Sequence, residues 1–172
     1  MKREIKLRNV FFPIWMLWVL PITWLVIIPI NAIIDGLVLL FTTAHLSIED
    51  RKNFILRILP KTVLVGFISD IIASIPLVLL AIIWNPDTNT KIGKWWLENI
   101  SPIQYNPLDN IFSVLIVLVC VILGGFLIYF LNRKFVLKKL EITDCEKFVL
   151  ARNMAIFTAP HLFLMPFNWL NF

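Results

Sequence analysis

Four polar side chains fall inside long apolar runs of this sequence: Asn31, Asp35, Asp70 and His161. An ionisable group near the centre of a bilayer costs about 2.5–3.5 kcal/mol on insertion scales, so such residues mark proton relays, ion paths or polar sites. Asp70 stands eight residues into the run from Thr62 to Trp84, ~12 Å deep at the helical rise. His161 lies at a similar depth if its segment enters near Asn153, so Asp70 and His161 are expected to meet as a hydrogen-bonded or charge-assisted pair. Asp35 lies ~8 Å from Pro29. Thr23, Ser69, Ser74 and Thr158 add polar capacity. The alternative is a structural clamp, since hydrogen bonds between membrane helices contribute only ~0.6 kcal/mol on average but fix register. A neutral, protonated Asp70 is a third reading.

Other chemistry is sparse. Two intramembrane aspartates suggest proteolysis inside the bilayer, which needs two carboxyls close enough to share a proton. The Gly-x-Gly-Asp signature of that family is absent, because the local sequences are Ile34-Asp35-Gly36 and Ser69-Asp70-Ile71. The two depths are also expected to differ by ~10 Å. Cys120 sits in an apolar run and Cys145 in a basic connector, which gives neither a disulfide framework nor a metal pair. No Walker, His-Glu-x-x-His or Gly-x-Ser-x-Gly pattern occurs, and no cofactor is implied. The basic run Arg133, Lys134, Lys138 and Lys139 is a candidate contact for anionic lipid, at about 1 kcal/mol per charge near the surface. Setting orientation is the simpler role for the same charges.

The elements that carry these residues are membrane helices. Of the 172 residues, 59% are hydrophobic and 16% charged, with a mean hydropathy of +0.85; soluble domains carry ~25% charge. The expected architecture is all-α, a single polytopic transmembrane domain over 1–172 with about five segments near 11–28, 30–46, 62–84, 108–131 and 153–171. Val10 to Leu46 would make a helix of ~55 Å against a hydrocarbon core of ~30 Å. Pro13, Pro21 and Pro29 punctuate it, so it reads as two short spans reversing at Pro29-Ile30-Asn31, or as a re-entrant pair. A short interfacial helix is expected between Ser47 and Lys61. Asn106-Pro107 reads as the start of the fourth segment and Thr143-x-x-Glu146 as a capping box. Gly124-Gly125 would admit a close helix neighbour.

Cations decide the orientation. With the reversal at Pro29, 14 Lys and Arg lie on the cytoplasmic side and 2 outside. A single first span scores 6 inside with the N-terminus inside, or 10 with it outside. The positive-inside bias therefore favours the hairpin with a cytoplasmic N-terminus. Trp84, Trp95, Trp96 and Tyr105 cluster around the expected outer loop, where such rings settle at headgroup level. The net charge of +5 flanks apolar runs, so it points to membrane orientation and not to nucleic acid. The function expected from this is a small accessory, scaffold or interaction subunit of a bacterial plasma membrane, held by the lipid bilayer and a protein partner or a second copy. The alternative is a small oligomeric transporter or channel-like protein using Asp70 and His161. An intramembrane enzyme is the third class: a site facing the bilayer could act on lipid, but no nucleophile–base pair at useful spacing supports it.

Overall fold

The computed structural model describes residues 14–46, 48–83, 87 and 89–166. Among them the protein is all helical. The α-helices are α1 (Trp24–His45), α2 (Arg51–Ile83), α3 (Lys91–Asn99), α4 (Ile111–Leu131) and α5 (Asp144–Thr158). Short 3-10 segments precede α1 at Ile14–Trp18 and follow α5 at His161–Leu164. Three stretches are long and apolar enough to cross a membrane: Pro21–His45, Arg51–Ile82 and Ile111–Val136. Helices α1, α2 and α4 therefore carry the stretches that could span a membrane, and α5 packs against α1 and α4.

Between residues 24 and 45 the chain does not double back. Helix α1 runs unbroken through Pro29, so the reversal at Pro29-Ile30-Asn31 and the two spans at 11–28 and 30–46 are corrected to one span. A reversal there would leave several backbone groups unpaired in hydrocarbon, at several kcal/mol each. A continuous helix forfeits only the bond that the proline nitrogen cannot donate. Helix α2 absorbs Pro60 and Pro76 in the same way. Hydroxyls supply extra bonds near its prolines: Thr62 to the Ile58 carbonyl at 3.1 Å and Ser74 to the Ile71 carbonyl at 2.7 Å. The expected separate interfacial helix at 47–61 is likewise corrected, because Arg51–Lys61 forms the first turns of α2.

The bundle has two distinct ends. One, here the connector end, joins α1 to α2 and α4 to α5. It carries Arg51, Lys52, Arg57, Lys61, Arg133, Lys134, Lys138, Lys139, Lys147 and Arg152. The other, the loop end, carries α3 and the segment to α4. Helix α3 replaces what the sequence presents only as a polar, turn-rich loop. Its N-cap is Thr90, whose hydroxyl accepts the Gly93 amide at 3.0 Å. Trp95 and Tyr105 are partly exposed there, and Trp95 meets Phe112 edge-on at 5.7 Å. Trp84 and Trp169 lie outside the described residues. Asn106 caps a 3-10 turn, and the cap of α4 is Asn110, whose side chain accepts the Phe112 amide at 2.8 Å.

Helix α5 opens on the expected capping box. Thr143 Oγ1 accepts the Glu146 amide at 3.2 Å and Glu146 Oε2 accepts the Thr143 amide at 2.7 Å. These bonds hold the Glu146 carboxyl below its ordinary pKa of 4.5, through the Thr143 side chain first and its backbone second. Stabilisation by the charged cap is thus complete above about pH 4.5 and fades as pH falls through the lowered value. Thr143→Ala is expected to cost about 1 kcal/mol, read as a lower midpoint of thermal unfolding in detergent. Helix α5 stops at Thr158, before Pro160, so the fifth expected segment at 153–171 does not cross as one helix. It enters from the connector end, and its proline corner packs on the middle of α4.

Candidate functional site

That corner is possible because α4 has no side chain where Pro160 arrives. A Cβ on Gly124 would lie 2.7 Å from Pro160 Cδ, 2.8 Å from its Cγ and 3.2 Å from Ala73 Cβ. Gly125 sits against the Ala155 carbonyl, 3.2 Å from where its own Cβ would be. The two glycines bring α5 and the His161 turn deep into the bundle. On the other side, α1 and α2 run antiparallel, so Asp35 of α1 faces Gly66 of α2, with Oδ2 3.7 Å from the Cβ position. Asp70 follows Gly66 by one helical turn on the same face.

The result is a cavity of about 160 Å³ lined by all four candidate residues, Asn31, Asp35, Asp70 and His161, together with Trp18, Gly66 and Thr158. Asp35 and Asp70 are each 3% exposed. Trp18 Nε1 donates to Asp70 Oδ2 at 3.0 Å, and Asn31 flanks the same carboxyl. Thr158 flanks the Asp35 carboxyl, and its hydroxyl donates to the Met154 carbonyl at 2.7 Å. Asp70 Oδ1 is buried with no hydrogen-bond partner among the described residues. An orphan acceptor of this kind costs about 1–3 kcal/mol, which a protein retains only with a compensating gain.

Two expectations are corrected. The depths of Asp35 and Asp70 do not differ by ~10 Å; with α1 unbroken and antiparallel to α2, the carboxyls share one cavity. His161 lines that cavity but does not pair with Asp70. It is exposed, and its Nε2 lies 2.8 Å from the Ile156 carbonyl.

Trp18 is the residue that sequence reasoning missed. Trp15, Trp18 and Trp24 precede or begin α1 with no helical pattern to assign them a face. Trp15 and Trp18 are 2% and 3% exposed. Trp15 Nε1 donates to the Ile103 carbonyl at 3.1 Å, and Trp18 meets Phe163 edge-on at 5.2 Å. With Leu77 and Ile103 they form the apolar cluster on the loop-end side of the cavity. The signal available in the sequence was that an indole N–H in an apolar run needs a buried acceptor.

Toward the connector end the seam between α1 and α5 stays polar. Asn153 Nδ2 donates to Thr42 Oγ1 at 3.2 Å, and His45 lies beside them in a cleft that reaches Phe157, which also lines the carboxyl cavity. Of the lipid-contact candidates, Arg133, Lys134, Lys138 and Lys139 are all exposed at this end. Among the described residues no cluster of His, Cys, Asp or Glu has the makings of a metal site. Comparison with protein-family models, with curated proteins and with solved structures finds no match to this chain.

Proposed function

We propose that this multi-pass protein of the bacterial cell membrane takes up a proton or a small monovalent cation at the Asp35–Asp70 cavity, as the binding step of a transport function. The observation that carries this reading is Asp70 Oδ1, buried with no hydrogen-bond partner among the described residues, beside a second buried carboxyl in one cavity. A cavity of about 160 Å³ has room for about five waters at ~30 Å³ each. That suits a small ion and excludes a lipid or peptide. Access is from the connector end, along the Thr42–Asn153 seam. We place that end in the cytoplasm because ten cations of the described residues flank it against Lys91 and Lys94 at the other. A cytoplasmic N-terminus rested on reversal at Pro29 and loses that support.

The test is flux into liposomes holding a pH-sensitive dye, under an imposed proton gradient and then under potassium or sodium gradients. Asp70→Asn is expected to lower the rate at least tenfold and Asp35→Asn severalfold. Equal rates in all three proteins, or no rate above empty liposomes, would remove the carboxyls from the function.

One observation favours an accessory subunit instead: the Trp15–Trp18 cluster closes the loop-end side of the cavity within a single chain. In that reading the polar cavity receives a side chain from a partner, or from a second copy, and no flux occurs. A stoichiometric partner co-purifying in mild detergent, and released by Asp70→Asn, would establish it.

A further inference from the structure

A second concavity lies on the opposite face of α5, in the groove it forms with α4. Its volume is about 470 Å³, and Leu118, Ile122, Gly125, Ala155 and Ala159 line it, with Tyr129 and Arg152 at its connector end. Gly125, Ala155 and Ala159 carry no more than a methyl group, which leaves room between α4 and α5. From Leu118 to Tyr129 is eleven residues of α4, ~16 Å of helix, close to the ~15 Å depth of one leaflet of a ~30 Å core. No carboxylate lines it.

The charged end is built. Arg133 Nη1 donates to the Tyr129 hydroxyl at 2.7 Å. The Tyr129 ring meets Phe148 edge-on, centroids 6.2 Å apart, and the Arg152 guanidinium lies 5.7 Å from the Phe148 centroid. The contacting pair Tyr129–Phe148 thus anchors two guanidinium groups, Arg133 through the Tyr129 hydroxyl and Arg152 over the Phe148 ring, at the connector end of the groove. Guanidinium is the cation best matched to a phosphate oxygen pair. The geometry points to an anionic glycerophospholipid as the occupant: an acyl chain along α4 and α5, and a phosphate at the Arg152 end of the groove, with the Tyr129-bound Arg133 as a further cation at that end. Of the cations at this end only Arg152 lines the groove itself; Arg133 reaches it through Tyr129, and Lys138 and Lys139 do not line it.

Native mass spectrometry of the detergent-purified chain, titrated with phosphatidylglycerol or phosphatidylcholine, tests this. One phosphatidylglycerol per chain is expected to survive at energies that strip phosphatidylcholine. Arg152→Gln should weaken its retention about fivefold, the worth of one surface cation. Leu118→Trp, a lipid-facing change, should weaken both lipids by filling the groove, and the pair Lys138→Gln, Lys139→Gln should change neither. The assignment is overturned if both lipids are retained equally. It is also overturned if the lysine pair matters as much as Arg152, or if a second copy of the chain occupies the face and no lipid is held.

Discussion

Gly124→Ala is expected to destabilise the bundle by about 1–3 kcal/mol, the usual range for overpacking a tight contact, while Gly125→Ala leaves stability nearly unchanged. Both glycines lie inside α4, where alanine is worth up to ~1 kcal/mol over glycine in helix propensity. The outcome depends on what the added methyl meets. At Gly124 it lands 2.7 and 2.8 Å from two ring carbons of Pro160, and a pyrrolidine ring has no rotamer by which to withdraw. At Gly125 the nearest atoms are 3.2 and 3.5 Å away, a distance that a few tenths of an ångström of helix shift relieves. Unfolding midpoints in detergent would measure both. Pro160→Ala in the Gly124→Ala background should recover part of the loss, and two glycines of equal sensitivity would refute the contact.

The same pair of glycines marks how far the sequence could be read. Their adjacency in an apolar run signals close approach of another helix, and α5 makes that approach. Run length and low charge fixed the helical membrane class, and the capping box at Thr143 fixed where α5 begins. What misled was proline. In water, Pro29 beside Asn31 would be a sound place to turn, but in hydrocarbon a turn costs more than one missing amide bond, so α1 continues. That error moved Asp35 to the wrong depth and hid its meeting with Asp70. Asn31, Asp35, Asp70 and His161 were legible as candidates because polar side chains in apolar runs are expensive wherever they fall. Their convergence was not legible, because it depends on the pairing of α1 with α2 and on the proline corner after α5, neither of which leaves a periodic trace.

Trp18 joins the carboxyl cavity to the apolar cluster at the loop end. Trp18→Ala is expected to cost about 3–5 kcal/mol, the range for truncating a buried Trp, because the indole is 3% exposed and packs on Phe163. Trp18→Phe separates two contributions. The ring against Phe163 is largely kept, while the donor to Asp70 Oδ2 is deleted. With Oδ1 already without a partner among the described residues, the loss should be about 1–3 kcal/mol, the cost of a buried polar group left unsatisfied. If the indole also seals the cavity, the two variants must diverge in flux. Trp18→Ala should leak protons faster than the native chain, and Trp18→Phe should remain tight. A Trp18→Phe protein as stable as the native one would mean that the bond to Asp70 contributes nothing to stability. A Trp18→Ala protein that is folded and no leakier would show that the barrier between cavity and loop end lies elsewhere.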